Sequence, residues 1–458
     1  MSGTWLGINI ASSGLLVNQK ALEIIGNNVA NAGTPGFKRQ RVVIAEGNPS
    51  GGVYASGSTS HSAIGTGARI EAIQRMQDEF LEQRLRAAHS NTGNWQALDQ
   101  RLSGIETVFG EPSDSAIQDT LNRFWNAWHD LSANPESVEL RANLLGQAST
   151  LSARIRELYQ SINDSRDDID FEITNLVGEI NRAGQEIAEI DNQVAAASGF
   201  KESPNALLDR RDLLVAELSK LLDVTQYGQQ GSDYVVGIGG KPLVFSTNFT
   251  AMKVTTNADG HAAIVWADDD TPVSITNGKI EGLLTVRDKI IPDYLTRLDN
   301  IATGLVQQIN AIHKTGYGLD GSTGLDFFVD GSTAVNIAVN PALLASVKSV
   351  AASAAGGPGD GSLAYQIAQL RDPINKEYAM LVSQLGADAS IAKQQGEAHN
   401  LISQQLTIQQ ESVSGVSLDE EMADMIRYQH SYNAMARVMT AVDEMIGTIV
   451  EKVGVVGR

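Results

Sequence analysis

Apolar residues recur every seven positions at both ends of this chain. Near the start, Ile8, Leu15, Leu22 and Val29 keep that spacing, and Ala11, Asn18, Ile25 and Ala32 occupy the positions three later. Near the end, Leu418, Met425, Tyr432, Met439, Ile446 and Val453 do the same, with Tyr428, Met435, Val442 and Ile449 in the second register. Such a pattern predicts a helix that must bury one stripe against another helix. Neither helix can bury its seam alone. The spacing therefore predicts one domain built from both ends of 458 residues, with the rest inserted between them. The C-terminal seam suits either a coiled coil within the chain or packing between copies of it.

The first helix, expected over 5–32, stops abruptly at "NNVANAGTPGFKRQ". Gly33 suits a left-handed position past the helix end, Pro35 cannot continue the helix, and Thr34 before it is pushed toward extended backbone. Gly36 and Phe37 follow. Asn27, Asn28 and Asn31 lie within two turns of the stop, where they either hydrogen-bond between neighbouring copies or are solvated.

The interior is mostly helical by pattern. Helices are expected over 77–109, 113–131, from Pro135 to about 197, and 206–222. In the long one, Ile169, Ile173, Leu176, Ile180, Ala183, Ile187, Ile190 and Val194 keep 3/4 spacing, which predicts a rod-like coiled coil or bundle. Asn134 before Pro135 reads as its N-cap. Composition then turns to Val, Thr, Gly and Asp, predicting β-hairpins over 223–282. Helix is expected again over 288–314 and mostly over 363–410. Ser417 with Glu420 forms a capping box before the last helix. The Gly- and Ser-rich stretch 39–73 reads as a long loop or two weak strands. The class is mainly α: terminal helices pairing as a coiled coil, and an elongated central bundle with a small inserted β subdomain. The domains expected are 1–35 with 415–458, an extended linker 36–75, a bundle 76–222 with 287–414, and the β subdomain 223–286.

Composition excludes several function classes. The chain carries 34 basic and 54 acidic residues, a formal charge of −20. That charge opposes nucleic-acid phosphates and anionic membrane surfaces. There is no cysteine, so disulfides and thiolate zinc sites are out. No apolar run reaches the ~18 residues that span a bilayer. No basic residue precedes Lys20, so a secretory signal is not expected.

Catalytic motifs are weak. "GIGGKP" at 237–242 lacks the glycine and hydroxyl of a phosphate loop and reads as a hairpin turn. Asp320, Asp326 and Asp330 do not follow calcium-loop spacing, and 267–270 reads as a charged hairpin tip. The seven histidines are scattered, and His313 is expected to pack or cap a helix end. Phe124, Trp125 and Trp128 suit either a helix core face or a partner patch. No cofactor or metal is expected.

The opening stretch resembles the N-terminal signature of bacterial flagellar axial proteins: rod, hook and hook-associated proteins. "SGVSLDEEMADMIRYQHSYNAMARVMTAVDEMIGTIV" is similar to their C-terminal signature. "LSANPESVELRANLLGQASTLSARI", "SPNALLDRRDLLVAELSKLL", "GGKPLV" and "GKIEGLLTVRDKIIPDYLTRLDNIA" resemble the hook-associated protein 1 family, so the likeness covers nearly the whole chain. Two features depart from it. "TPGFKR" is closer to rod and hook proteins, and the short segment between Phe328 and Pro341 has no room for the large outer β domain of many relatives. The resemblance implies a structural, non-enzymatic subunit of the junction ring between hook and filament. Its implied partners are further copies of itself, hook protein, hook-associated protein 3, an export chaperone and the type III export apparatus, and its implied place is the extracellular flagellum. The alternative within the superfamily is a distal-rod or hook protein; a wall hydrolase is a third reading that lacks a catalytic cluster. The residues implied in subunit packing are Ile8, Leu15, Leu22, Ile25, Asn27, Asn28, Val29, Asn31, Thr34, Pro35, Gly36 and Phe37 at the start. At the end they are Leu418, Met425, Tyr428, Tyr432, Met435, Met439, Val442, Ile446 and Ile449. Terminal helices with open seams are expected to order on assembly, with fast amide exchange over 1–35 and 418–458 in a monomer.

Overall fold

A computed structural model describes residues 2–47, 65–113, 116–199, 204–228 and 234–452. Val453 and the centre of the 39–73 stretch lie outside the described residues. Helix α1 (Ser2–Ala30) is followed by strands β1 (Gln40–Glu46) and β2 (Ala68–Arg75), then helices α2 (Glu79–Phe109), α3 (Ile117–Ala133), α4 (Val138–Gly199) and α5 (Asn205–Leu221). Strands β3 (Val224–Tyr227), β4 (Val235–Ile238), β5 (Lys241–Phe245) and β6 (Asn248–Phe249) form one small sheet, and β7 (Met252–Thr256) and β8 (Ala262–Trp266) form another. Helices α6 (Lys279–Thr285), α7 (Ile291–His313), α8 (Pro341–Ala345), α9 (Ser362–Ala368), α10 (Arg371–Ser414) and α11 (Leu418–Lys452) complete the chain. The fold is an elongated helical bundle carrying a small β insertion.

The bundle has one continuous core. Along α4, Leu144, Ala148, Leu151, Ile155, Leu158 and Ile162, then Ile169, Ile173, Leu176 and Ile180, then Ile187, Ile190 and Val194 are buried at 3/4 spacing, as the pattern requires of a helix covered along one stripe. Phe124, Trp125 and Trp128 on α3 are buried in the same core. The Trp128 ring lies 5.0 Å from Phe327, and Phe124 lies 6.1 Å from Phe327 and Phe328. The aromatic patch is thus a core face: the loop before α8 folds back and covers it. His313 closes that cluster. Its Nδ1 meets the Leu325 carbonyl at 2.7 Å, and its Nε2 accepts from the Ala351 amide at 2.9 Å. Burial depresses its pKa to about 4.

Several local readings are corrected. The cap of α4 is Ser137, whose Oγ accepts from the Leu140 amide at 3.1 Å; Asn134 instead ends α3. The turn 135–137 must first redirect the chain from α3 to α4, which delays the helix. The helix expected from 288 begins earlier, at α6, and passes through a π-helical turn (Val286–Ile290) into α7. The widened turn buries Val286 while Arg287 Nη1 reaches Asp170 and the Ala262 carbonyl. Gly33 does not take the left-handed conformation; Gly36 does, with φ 79°. The stop is therefore a turn centred three residues later, where the chain passes Leu213 of α5 closely enough that a side chain at Gly36 meets it.

Other local expectations stand. Gly239 and Gly240 both have positive φ between the paired strands β4 and β5, the geometry of a tight hairpin and not of a phosphate cradle. Segment 39–73 does form two strands, β1 and β2, paired antiparallel from Gln40–Arg75 to Glu46–Ala68. Of the capping box at α11 only one half forms: Ser417 Oγ receives the Glu420 amide at a long 3.5 Å, while the Glu420 carboxylate turns to Arg39.

Candidate assembly interface

The two ends of the chain form an antiparallel pair, α1 against α11. Space for a side chain at Gly7 is bounded by Val442, and at Gly14 by Met435. Tyr428 packs on the cluster of Ala21, Ile24 and Val42. Asn28 donates from Nδ2 to Glu421 Oε2 at 2.9 Å. Each rung is seven residues from the next on both helices, so a small or polar residue of α1 faces a larger one of α11 at every step. Glycine and alanine let the backbones approach until Val442, Met435 and Tyr428 fill the gap.

This seam keeps the second register read from apolar periodicity, Ala11, Asn18 and Ile25 on α1 and Tyr428, Met435 and Val442 on α11, but not the first. Gly7, Gly14, Ala21 and Asn28 occupy it with Ala11, Asn18 and Ile25; Ala11, Asn18, Ala21, Ile25 and Asn28 are buried. Ile8, Leu15, Leu22 and Val29 lie one residue round the helix and are half-buried. On α11, Val442 is buried and Met425, Tyr428, Met435, Met439 and Ile446 are half-buried, while Leu418, Tyr432 and Ile449 are exposed. Hydropathy alone selects bulky residues and so misses Gly7, Gly14 and Ala21; a strict seven-residue row of small residues was the available signal.

At its root the pair is clasped by polar groups. The Asn28 side chain bonds both the Gln40 carbonyl (2.9 Å) and the Gln40 amide (3.0 Å), like a backbone partner for β1. Arg39 Nε donates to Glu421 Oε1 at 2.6 Å and Nη1 to Glu420 Oε2 at 2.5 Å, and the Arg39 amide donates to the Ser414 carbonyl at 2.8 Å. Glu421 is thus a buried carboxylate paired on both oxygens, as burial demands. Asn31 bonds locally: its Nδ2 donates to Asn27 one turn back, and its Oδ1 accepts from the Thr34 hydroxyl at 3.3 Å. Asn27, Thr34, Pro35 and Gly36 are exposed, and Phe37 is half-buried over a groove of about 720 Å³ between the opening loop, α2, α5 and the end of α10.

A second clasp ties this root to the bundle. Lys38 Nζ lies 2.8 Å from both Asp212 and Glu82, and Arg75 Nη1 lies 3.0 Å from Asp209 and 2.9 Å from Asp212. Asn205 Nδ2 donates to Gln40 Oε1 and to the Ile73 carbonyl. Burial raises the Asp209 carboxyl above its ordinary range despite Arg75. Burial pushes Asp212 the same way, but Lys38 and Arg75 together outweigh it and hold its pKa low. Lys38, Gln40, Asn205, Asp209 and Asp212 lie inside stretches that carry the family resemblance, but the sequence assigned them no role, because charges gain their meaning only where β1, β2 and α5 converge.

Several acidic groups of the loops are engaged locally. Asp320 accepts from the Ser322 amide and Ser349 Oγ, which lowers its pKa to about 2, and Asp326 pairs with Lys314. Asp268 and Asp269 at the β8 turn pair with Lys241. Asp167, Asp170 and His261 are close enough to share a cation, but Asp170 already accepts from Arg287 Nη1 at 2.5 Å and from the Ala262 amide, and sits 2.9 Å from His261 Nδ1. Among the described residues no helix is long and apolar enough to cross a membrane.

What the α1–α11 pair does not cover is large. Trp5 and Leu16 on α1, and Leu418, Met422, Ile426, Val438, Met445 and Ile449 on α11, are exposed. On α11 they form two groups, Leu418, Met422 and Ile426 on one side and Val438, Met445 and Ile449 on another, and clustered exposed apolar side chains mark association sites.

Comparison with known proteins follows the same division. Residues 102–328 match the model of the flagellar hook-associated protein FlgK helical domain. Residues 8–38 match the flagella basal body rod protein model, and residues 409–451 the C-terminal model of the flagellar basal body rod FlgEFG proteins. The chain is 28% identical to flagellar hook-associated protein 1 of Bacillus subtilis over the full length of both. It is 30% identical to flagellar hook-associated protein 1 of Salmonella typhimurium over 72% of this chain and 60% of that one. The solved structure of the flagellar hook junction protein FlgK from Burkholderia pseudomallei superposes with a TM-score of 0.50 at 25% identity, covering 55% of this chain and 47% of that one.

Proposed function

The chain belongs to the flagellar hook-associated protein 1 family, and from that premise we propose that it is a structural subunit of the ring joining hook to filament. The observation that carries this reading is the terminal helix pair. It uses small residues inward and leaves bulky apolar residues outward on both flanks, so one subunit satisfies only part of its helical surface. Copies that stack side by side through those flanks form a tube wall, while the bundle lies outside it. The contact is heterologous, which is the geometry of rings and helical tubes.

In this reading the subunit leaves the cell through the type III export apparatus with an export chaperone. It assembles on hook protein below and receives hook-associated protein 3 above, in the extracellular flagellum. It performs no catalysis. The long α4 helix favours the junction reading over a distal-rod or hook subunit. Deleting the gene tests both: hooks without filaments, with flagellin in the medium and rescue by the intact gene, are expected. Filaments on the mutant hooks would overturn the junction reading, and loss of the hooks themselves would favour the rod or hook alternative.

A further inference from the structure

Helix α10 carries a second unpartnered surface, separate from the terminal pair. Met380, Ile391, Ile402 and Val413 recur every eleven residues and are all exposed, Ile391 by 53%. Eleven residues make three turns of about 3.67 residues each, so the four side chains align in a nearly straight row. At 1.5 Å per residue the row is about 50 Å long. Between them this face holds only glutamine and alanine, among them Gln395, Ala398, Gln405 and Gln409, all exposed. The charged residues of this stretch, Lys393, Glu397 and Glu411, project from the other side, about 100° or more around the helix. Asp388 at the stripe's edge is held by the Tyr294 hydroxyl at 2.6 Å.

We propose that this stripe is the lateral contact between the bundle of one copy and the bundle of the next. The charge argues for a second copy as occupant. Copies of a chain with net charge −20 repel each other, and a face without charge is where they approach at least cost. Direction argues the same way. The row runs along the side of a 44-residue helix, so its occupant is a neighbour lying alongside that helix. In the ring of the preceding reading, on which this inference rests, that neighbour is another copy. The size fits a contact made only on assembly: a strip about 50 Å by about 10 Å covers about 500 Å² per copy. The total of about 1,000 Å² sits at the lower limit for specific interfaces, so it holds pairs weakly and accumulates around a ring.

The chain has no cysteine, so a single one can be placed at will. Full-length Ile391→Cys and Ile402→Cys variants, each labelled with benzophenone maleimide, are irradiated at several hundred micromolar. The expected product has twice the chain mass, at least fivefold more abundant than from Leu344→Cys, which is equally exposed at 52% on α8. Adding Met380→Glu and Val413→Glu reduces it at least fivefold, whereas Met380→Gln and Val413→Gln keep at least half, which separates repulsion from misfolding. Equal capture from all three positions, or no effect of the glutamates, overturns the proposal. The assay contains neither hook nor filament, so its failure leaves the junction reading to the deletion test.

Discussion

Asn28→Ala probes the root of the terminal helix pair. Asn28 is buried and makes three hydrogen bonds: to the Gln40 carbonyl, from the Gln40 amide, and to Glu421. Bonds between neutral groups contribute about 1 kcal/mol each, and one to a carboxylate about 1.5–3 kcal/mol. Glu421 keeps Arg39 on its other oxygen, so its charge is not wholly orphaned. The expected loss is therefore ~3–5 kcal/mol, concentrated where α1, β1 and α11 meet. At about 1.4 kcal/mol per tenfold, opening of that region becomes roughly one hundred to several thousand times more frequent. Hydrogen exchange on the purified chain reads this directly, in peptides spanning 24–30 and 419–428. Asn31→Ala is the control: it removes only exposed local bonds, to Asn27 and from the Thr34 hydroxyl, and should change exchange by less than about 0.5 kcal/mol. In Asn28→Ala with Glu421→Ala the two effects should fall short of additivity by about 1–3 kcal/mol. Equal exchange in the Asn28 and Asn31 variants, or strict additivity in the double variant, refutes the reasoning.

Gly14→Leu should separate the pair, because a side chain there meets Met435 at 3.1 Å; overpacking costs about 1–3 kcal/mol, whereas Gly26→Leu, with open space around it, should leave helix content unchanged or higher by circular dichroism. The clasp narrows the fast exchange expected over 1–35 and 418–458: in a dilute monomer it should be fastest over residues 2–20 and 435–452 and slow toward Asn28 and Glu421, and protection that is greatest at the chain ends would contradict the clasp. His313 titrates at about 4 in the folded protein against 6.5 unfolded, so its contribution is complete above pH 6.5 and is lost as pH falls toward 4. The loss amounts to about 3 kcal/mol. His89, also lowered to about 4 by burial and by Lys220, adds to it. Urea midpoints for His313→Gln between pH 7 and 4.5 should therefore show a slope shallower by about one proton, and an unchanged slope would count against a buried neutral imidazole.

Much of the bundle was legible because its signal is local. The 3/4 spacing from Ile169 to Val194 can be satisfied only by a helix covered along one stripe, and α4 is that helix. Two glycines in "GIGGKP" supply the positive φ of a tight turn wherever the hairpin lies. Phe124 and Trp128 were ambiguous because their cover, Phe327 and Phe328, arrives from two hundred residues downstream. The start of α4 was misread at Asn134 because Pro135 is compatible with a first helical turn, whereas Asn134 closes α3 and Ser137 caps α4.

The division is sharpest at the ends of the chain. Seven-residue periodicity by itself determined that residues near both termini are helices needing a partner. It could not determine which stripe faces inward, since Ile8 and Gly7, or Leu15 and Gly14, are neighbours on the same turn. Tertiary structure chose the glycines, because close backbone approach lets Val442 and Met435 fill the space that larger residues would deny them. It likewise turned Asn28, Arg39 and Glu421 into one clasp. Periodicity is a property of one helix, but a seam is a property of two surfaces and the distance between them. That distance is set by the smallest residues, which hydropathy counts least.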